Sequence, residues 1–331
     1  MKPSKTFSID RLVVLKKFLA GFGLNTVEPQ FLAGDASART YYRISGADKN
    51  YVLMDAPAPI DCWPFIKVDK LLLDNGFSAP VIMGVNTEDG FLLLEDFGDL
   101  TYSKCLENGQ KPESLYTLAV KNLTTLHSKV TIKPDWCETY TPDILWQEIE
   151  LYASWYWPKI MQQQCGDVDA LREICYELAQ QALLAPQRLI LRDYHVDNLM
   201  LLPHRRGVQQ CGLLDFQDAI WGPVVFDFVS LVEDARRDVS NHLTQQLWKQ
   251  FLDDYPIAQR DMIYQSGIIL STFRHMKILG VFTRLAYRDG KQQYLMHVPR
   301  LLRLLGRCLN EKFMWKLKSW FERNHSELLR L

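Results

Sequence analysis

The chain has no cysteine pair spaced C-x-x-C, no block of like charge, no internal repeat and no low-complexity tract. It also lacks any unbroken apolar run of the ~18 residues that a membrane-spanning helix would need. Each absence excludes something. The seven cysteines, Cys62, Cys105, Cys137, Cys165, Cys175, Cys211 and Cys308, are odd in number and scattered, so they read as reduced core thiols. Neither a disulfide framework nor a zinc site is expected from them. A net charge of −1, with both signs interspersed, gives nucleic-acid binding little electrostatic support. The amino-terminal stretch MKPSKTFSIDRLVVLKK has no continuous apolar region and no small-residue cleavage site. A soluble cytoplasmic protein is therefore expected, with no membrane contact and no evident obligate protein partner. What is present is ordinary for a globular chain: 47% hydrophobic and 23% charged residues. Its 331 residues allow for two domains, at the usual ~100–200 residues each.

Ser8 precedes apolar residues at helical spacing that end at Gly21 and Gly23, which predicts a capped first helix. The runs FLAGDASARTYYRI and NYVLMDAP, separated by the polar turn SGADKN, predict a β-hairpin. CWPFIKVDKLLLDNGF reads as a helix closed near Gly76, and VIMGVNTEDGFLLLED as two further strands around a turn. Residues 1–95 thus form a small α+β lobe, and the texture changes to loop at EDFGDLTY, residues 95–102. Beyond it, residues 112–130, 142–164 and 168–185 read as helices, RLIL, LMLL and CGLLDF as short strands, and the chain from about residue 223 as mainly helical.

The chemistry concentrates in LRDYHVDNLML, residues 191–201, which sets Asn198 five residues after Asp193 between two apolar runs. Asp215 follows in LLDFQDA, 215 − 193 = 22 residues after the first acid. Three polar groups of these types at strand ends suit phosphoryl transfer. One carboxylate accepts the proton of the attacking hydroxyl, while an amide and a second carboxylate hold Mg²⁺ on the phosphates. The protein-kinase pattern H-R-D-L-x-x-x-N followed by D-F-G has the same skeleton. Here Leu191 stands for the His and Gln217 for the Gly. A lone D-x-x-x-x-N is usually only a polar turn; the second Asp, Arg192 before the first, and the β-rich lobe upstream make the set specific.

These segments, with GDASARTYYR, YVLMDAP, LLLEDFGD, DAIWGPVVFDFVSLVEDAR and FRHMKILGVFTRLAYRDGKQQYL, identify a resemblance over nearly the whole chain. It resembles the aminoglycoside phosphotransferase and choline kinase group of small-molecule kinases. Within that group it is most similar to the bacterial cell-wall sugar kinases, which phosphorylate the anomeric hydroxyl of N-acetylmuramate and N-acetylglucosamine. The resemblance implies an α+β, bilobal protein-kinase-like fold, with a β-rich N-lobe over residues 1–97 and a larger helical C-lobe over 98–331. It implies ATP and Mg²⁺ as cofactors and a small-molecule sugar as acceptor. Asp193 would be the catalytic base beside Arg192, Asn198 and Asp215 the Mg²⁺ ligands, and Asp227 the acid that braces the catalytic loop through Arg192 or backbone amides. Glu95 and Phe97, in LEDFG, would belong to the hinge that meets adenine through its backbone. Gly34 and Ser37, in AGDASART, would cover the phosphates.

The chain departs from the kinase pattern where a strand Lys is expected: YVLMDAP offers Met54 or Asp55. The following helix has Asp69 in place of a Glu. Arg39 or Arg43 could take over phosphate neutralisation, since a guanidinium binds phosphate oxygens bidentately; both also read as solvated arginines of an edge hairpin. Acceptor candidates are Glu148 and Glu150, Trp155 with Trp157, His195, Asp218 of the QDA element, and Arg274, which with the RDGK turn could meet a lactyl carboxylate. Tryptophans at helical spacing equally suit a core, and His127 reads as a helix-end histidine. Two rival functions stand beside the sugar kinase: the same fold acting on an aminoglycoside, choline, a hydroxy amino acid or another sugar, and a nucleotide-binding pseudokinase that serves as a scaffold.

Overall fold

The structure, a computed structural model, describes residues 7–34 and 39–325. Two compact units divide the chain. The first runs to Gln110 and regains Val196–Asp218; the second comprises Lys111–His195 and the residues from Ala219 onward. They are therefore not the two continuous segments 1–97 and 98–331 expected from the texture of the sequence.

The first unit opens with helix α1, Ile9–Ala20, whose N-cap Ser8 accepts a hydrogen bond from the Arg11 amide at 3.2 Å. Strands β1 (Gln30–Ala33), β2 (Thr40–Ser45) and β3 (Asn50–Asp55) follow, then helix α2 (Trp63–Asp74), strands β4 (Ile82–Asn86) and β5 (Phe91–Glu95), and helix α3 (Tyr102–Glu107). The strands form one antiparallel sheet in the order β1-β2-β3-β5-β4. The period of two along β2 sends Tyr42 and Ile44 into a core with Leu15 and Leu19 of α1 and leaves Tyr41 and Arg43 on the other face. A short antiparallel hairpin, Leu199–Leu201 with Cys211–Leu213, completes the unit through bridges Thr101↔Met200 and Ser78↔Gly212.

The second unit is mainly helical: α4 (Pro112–Lys129), α5 (Pro142–Leu151), α6 (Val168–Ala182), α7 (Phe226–Val232), α8 (Asn241–Asp253), α9 (Ile257–Arg288), α10 (Val298–Leu309) and α11 (Trp315–Asn324). The single helix expected over 142–164 ends early. From Tyr152 to Met161 the chain winds as a π-helix that contains Pro158, which has no N–H to give to an α-helical ladder. The wider turn packs Tyr152 on Tyr156, with ring centroids 5.2 Å apart, and sets Trp157 against Trp320 at 6.1 Å. Trp157 is thus core. Strands Gln187–Ile190 and Ile220–Pro223 pair antiparallel, and the loop beginning at Leu191 leaves from the end of the first. Helix α9 carries most of this unit's internal packing: a Cβ on its Gly280 would lie 2.3 Å from the carbonyl carbon and oxygen of Leu151. Among the described residues no helix is long and apolar enough to cross a membrane.

Candidate active site

In the first unit a cavity of about 490 Å³ is lined by Gly34, Tyr41, Glu95, Phe97, Asn198 and Asp215 among others. Five of these were expected to serve nucleotide or metal. The returning hairpin positions two of them, since Asn198 precedes its first strand and Asp215 follows its second. Asn198 Nδ2 donates to Asp215 Oδ2 at 3.3 Å. Asp215 has φ +58°, the left-handed region that few non-glycine residues enter, and its carboxylate is exposed. Gln217, almost fully buried, donates to Asp215 Oδ1 at 2.9 Å and to Asp218 Oδ2 at 3.4 Å. The residue that replaces the kinase glycine therefore ties the two acids together. An amide oxygen and a carboxylate on a cavity wall are hard oxygen donors of the kind that suits Mg²⁺.

Gly34 has φ +148°, and a Cβ there would stand 3.2 Å from Arg39 O and Thr40 Cα, so the backbone approach needs glycine. Ser37 lies outside the described residues. The Glu95 amide donates to Val81 O at 2.9 Å, and its carboxylate accepts from Arg205 at 2.5 Å. Phe97 lines the cavity beneath the Arg205 guanidinium, which lies 5.0 Å from its ring centroid.

The two candidate cations separate. Arg43 donates Nε to Asp96 at 2.6 Å, Nη1 to Asp99 at 3.1 Å and Nη2 to Asp96 Oδ1 and Gly98 O. Its hydrogen bond to Asp96 holds its pKa above the ordinary value against burial. Arg43 thus clasps residues 96–99, with its donors engaged by Asp96, Asp99 and Gly98 O. Arg39 Nη2 donates to Asp61 O at 3.4 Å, and Arg39 opposes the rise that burial and Asp215 impose on the Tyr41 hydroxyl. In the stretch where a lysine was expected, Met54 is fully buried and Asp55 is paired with Arg11 at 2.5 Å. Asp69 is only 2% exposed; burial, aided by Glu95, pushes its carboxyl to about 7.

In the second unit Asp227 anchors the loop that carries Asp193. Its Oδ2 accepts the Leu191 amide at 2.6 Å and its Oδ1 the Arg192 amide at 2.8 Å. Bracing therefore runs through backbone amides. Complete burial raises the Asp227 carboxyl to about 7 against the pull of those amides. Arg192 takes φ +70° and sends its guanidinium to Glu148, over the Tyr140 ring. Glu148 also accepts from Tyr140 Oη at 3.1 Å and pairs with Lys277 Nζ at 2.9 Å. Although burial would raise it, Lys277 and Arg192 hold its carboxyl below the usual range. Arg274, one turn before Lys277 on α9, is 9% exposed, and its Nη1 has no hydrogen-bond partner among the described residues. Burial lowers its pKa, while Asp234 and Asp193 oppose that change. Burial, with Arg236 and Arg274, drives His195 down to about 3, which leaves a neutral imidazole.

Of the sequence candidates, Asp193, Arg192, His195, Arg274 and Asp227 share this electrostatic neighbourhood. Glu150 does not join it. It is exposed on α5, close enough to Arg172 to affect its charge, and Glu148 takes the inward place. Trp155 sits half-buried on the π-helix, and Asp218 is exposed beside Gln217 in the first unit. Gln217 and Lys277 were not among the expected site residues. The signal for Lys277 was its place one helical turn after Arg274 in FRHMKI.

The chain is 30% identical to an N-acetylmuramate/N-acetylglucosamine kinase of Caulobacter vibrioides, covering 96% of this chain and 98% of that one. It is 35% identical to the Pseudomonas aeruginosa protein of the same name, covering 82% of this chain and 81% of that one. An ADP-bound aminoglycoside phosphotransferase shares the protein-kinase-like fold, with a TM-score of 0.56 at 16% identity over 90% of this chain and 98% of the other. Residues 28–260 match the model of the phosphotransferase enzyme family, and with relatives aligned along nearly its whole length, the chain belongs to that family.

Proposed function

We propose that the chain is an ATP- and Mg²⁺-dependent kinase that phosphorylates the anomeric hydroxyl of N-acetylmuramate or N-acetylglucosamine and releases the sugar 1-phosphate. The observation that carries this reading is the Asn198–Asp215 pair on the wall of a cavity also lined by the glycine turn and the hinge. The relatives named as kinases of these two sugars support the choice of acceptor, and the ADP-bound neighbour supports a nucleotide donor. In functional terms the first unit serves the nucleotide, while the second bears Asp193 and the acceptor side. A cytoplasmic place in cell-wall sugar recycling suits such a product.

Asp193 accepts the proton of the attacking hydroxyl. An anomeric hydroxyl is more acidic than an ordinary alcohol, so a carboxylate suffices as base. Asp227 and Arg192 position the loop, and the rate comes mainly from alignment and charge neutralisation. Bound at Asn198 and Asp215, Mg²⁺ would supply charge neutralisation on the nucleotide phosphates. Arg39 is the chain's own cation for that role in place of the absent lysine. Arg274 and Lys277 give the acceptor side a positive character that suits the lactyl carboxylate of N-acetylmuramate.

The test is ADP release with Mg²⁺-ATP against N-acetylmuramate, N-acetylglucosamine, glucose, choline and kanamycin, with Asp193→Asn as control. Turnover confined to the two N-acetylated sugars, giving the 1-phosphate and lost in the variant, is the expected result. Turnover with another acceptor alone would discard the cell-wall reading and keep the catalytic one. Nucleotide binding with no turnover on any acceptor would favour a scaffold.

A further inference from the structure

Away from the catalytic loop, three elements of the second unit bring Glu233, His275 and Cys308 together. Glu233 caps the end of α7, His275 lies within α9 and Cys308 near the end of α10. All are buried, at 5%, 0% and 1% exposure. His275 Nε2 lies 3.3 Å from Glu233 Oε2 and Cys308 Sγ 3.9 Å from the same oxygen, and the three donor atoms fall within 4.8 Å of one another. We propose that this trio binds zinc through three protein ligands, with water in the fourth position, at a site which nothing in the phosphotransfer chemistry requires.

Three observations support it. The first is donor chemistry: a thiolate, an imidazole and a carboxylate form a ligand set suited to zinc, and the two anionic groups neutralise a divalent ion inside the protein. Zinc bonds of about 2.0–2.3 Å at tetrahedral angles put neighbouring donors roughly 3.4–3.6 Å apart. The imidazole–carboxylate spacing is close to that value, and the sulfur needs only a small side-chain adjustment.

The second is the setting of the imidazole. His275 Nε2 faces Glu233 Oε2 at 3.3 Å outside hydrogen-bond geometry, while a hydrogen bond to the Glu233 backbone favours its charge against burial. A wholly buried imidazole with a carboxylate and a thiol gathered at its edge suits a shared ion. The third is orientation. Arg307 Nη2 holds Glu233 Oε1 at 2.7 Å, which leaves Oε2 directed at the other two donors, an outer-sphere arrangement common at metal sites. Glu233 and Arg307 also line a cavity of about 210 Å³ with Asp234, Asp238 and Arg303, which gives an ion a route in. No C-x-x-C spacing announces the site, because each ligand comes from a different helical segment. Zinc would pin α7, α9 and α10 together beside Arg274, next in sequence to His275.

The experiment is metal analysis of the purified full chain after incubation with zinc and gel filtration, repeated with cobalt(II) as a spectroscopic probe. Stoichiometric zinc and a thiolate-to-cobalt charge-transfer band are expected, with both lost in Cys308→Ser and His275→Gln and with Tm lowered by a chelator. A wild-type chain that retains no zinc and gives the spectrum of hydrated cobalt would overturn the proposal, and show that Cys308 only donates to Glu233 within a hydrogen-bonded core. Zinc retained undiminished in both variants would overturn it too. The wild-type result decides by itself, so a variant that fails to fold does not blur the outcome.

Discussion

Two arginines four residues apart, Arg39 just before β2 and Arg43 within it, have been given opposite work. Arg43 spends its donors on Asp96, Asp99 and Gly98 O, so Arg43→Ala is expected to destabilise the fold by about 2 kcal/mol, read as a fall in Tm. Arg39→Ala is expected to raise KM for ATP roughly tenfold, the scale of one lost charge-assisted contact of ~1.5–3 kcal/mol. Equal effects of the two on KM would remove the distinction. Asp227 presents a different residue-scale case, because it holds the loop bearing Asp193 through backbone amides. Asp227→Asn keeps the shape but loses one strong acceptor, and the loop shifts. A fall in kcat of about a hundredfold, with acceptor KM nearly constant, is the expected signature of misplacement; steady-state kinetics on both substrates will show it. Sequence spacing singled out Asp193, Asn198 and Asp215, and the structure sets Asn198 against Asp215 on one cavity wall. Spacing could not separate Arg39 from Arg43, because their difference lies in partners more than 50 positions downstream.

At the scale of elements, the contact of α9 with the end of α5 depends on a missing side chain. Gly280→Ala would drive a methyl into the Leu151 backbone, and a loss of about 1–3 kcal/mol is expected from overpacking. Urea unfolding of the variant measures it; an unchanged midpoint would mean that the helices slide apart at no cost. The same region shows why part of the fold escaped a linear reading. Ser8, Gly21 and the alternation in β2 announce themselves locally, and those elements formed as expected. The π-helix did not, because the pattern YASWYWPKIM satisfies either helical period until Pro158 withdraws an N–H. Glu148 and Glu150 were indistinguishable for a related reason. Residues two apart on a helix differ by about 200° in direction, and which one faces inward depends on a phase that tertiary packing sets.

For the whole molecule, acid sensitivity follows from buried imidazoles. His127 is held neutral by burial and Arg188, down at about 3, and its Nδ1 lies 2.7 Å from Tyr255 Oη. In the unfolded chain it would titrate near 6.5. Because the unfolded state takes up the proton first, this group's stabilisation is full above about 6.5 and is lost as pH falls toward 3. At pH 5 the loss amounts to about 2 kcal/mol. Asp69, raised to about 7, works with the opposite sign: its contribution is full below its unfolded value of 3.8 and is lost as pH rises through 7. Denaturant midpoints of the wild type and His127→Gln at pH 5, 6 and 7 should diverge, with the variant showing the shallower acid decline. Parallel curves would mean that His127 is not held neutral.

The chain leaves the first unit at Gln110, returns at Val196 and leaves again after Asp218. The returning segment, 218 − 196 + 1 = 23 residues long, supplies both Asn198 and Asp215, and it is stitched to the rest of the unit by the Ser78 and Thr101 bridges and by Arg205 on Glu95. Its covalent path runs straight on from the loop bearing Asp193. For anyone who recombines such proteins, the two units are therefore not cassettes: a graft meant to exchange acceptor preference must carry Lys111–His195 and the chain from Ala219 as separate pieces and splice them around a resident hairpin. A single crossover at residue 110 would import a foreign copy of the hairpin that bears Asn198 and Asp215.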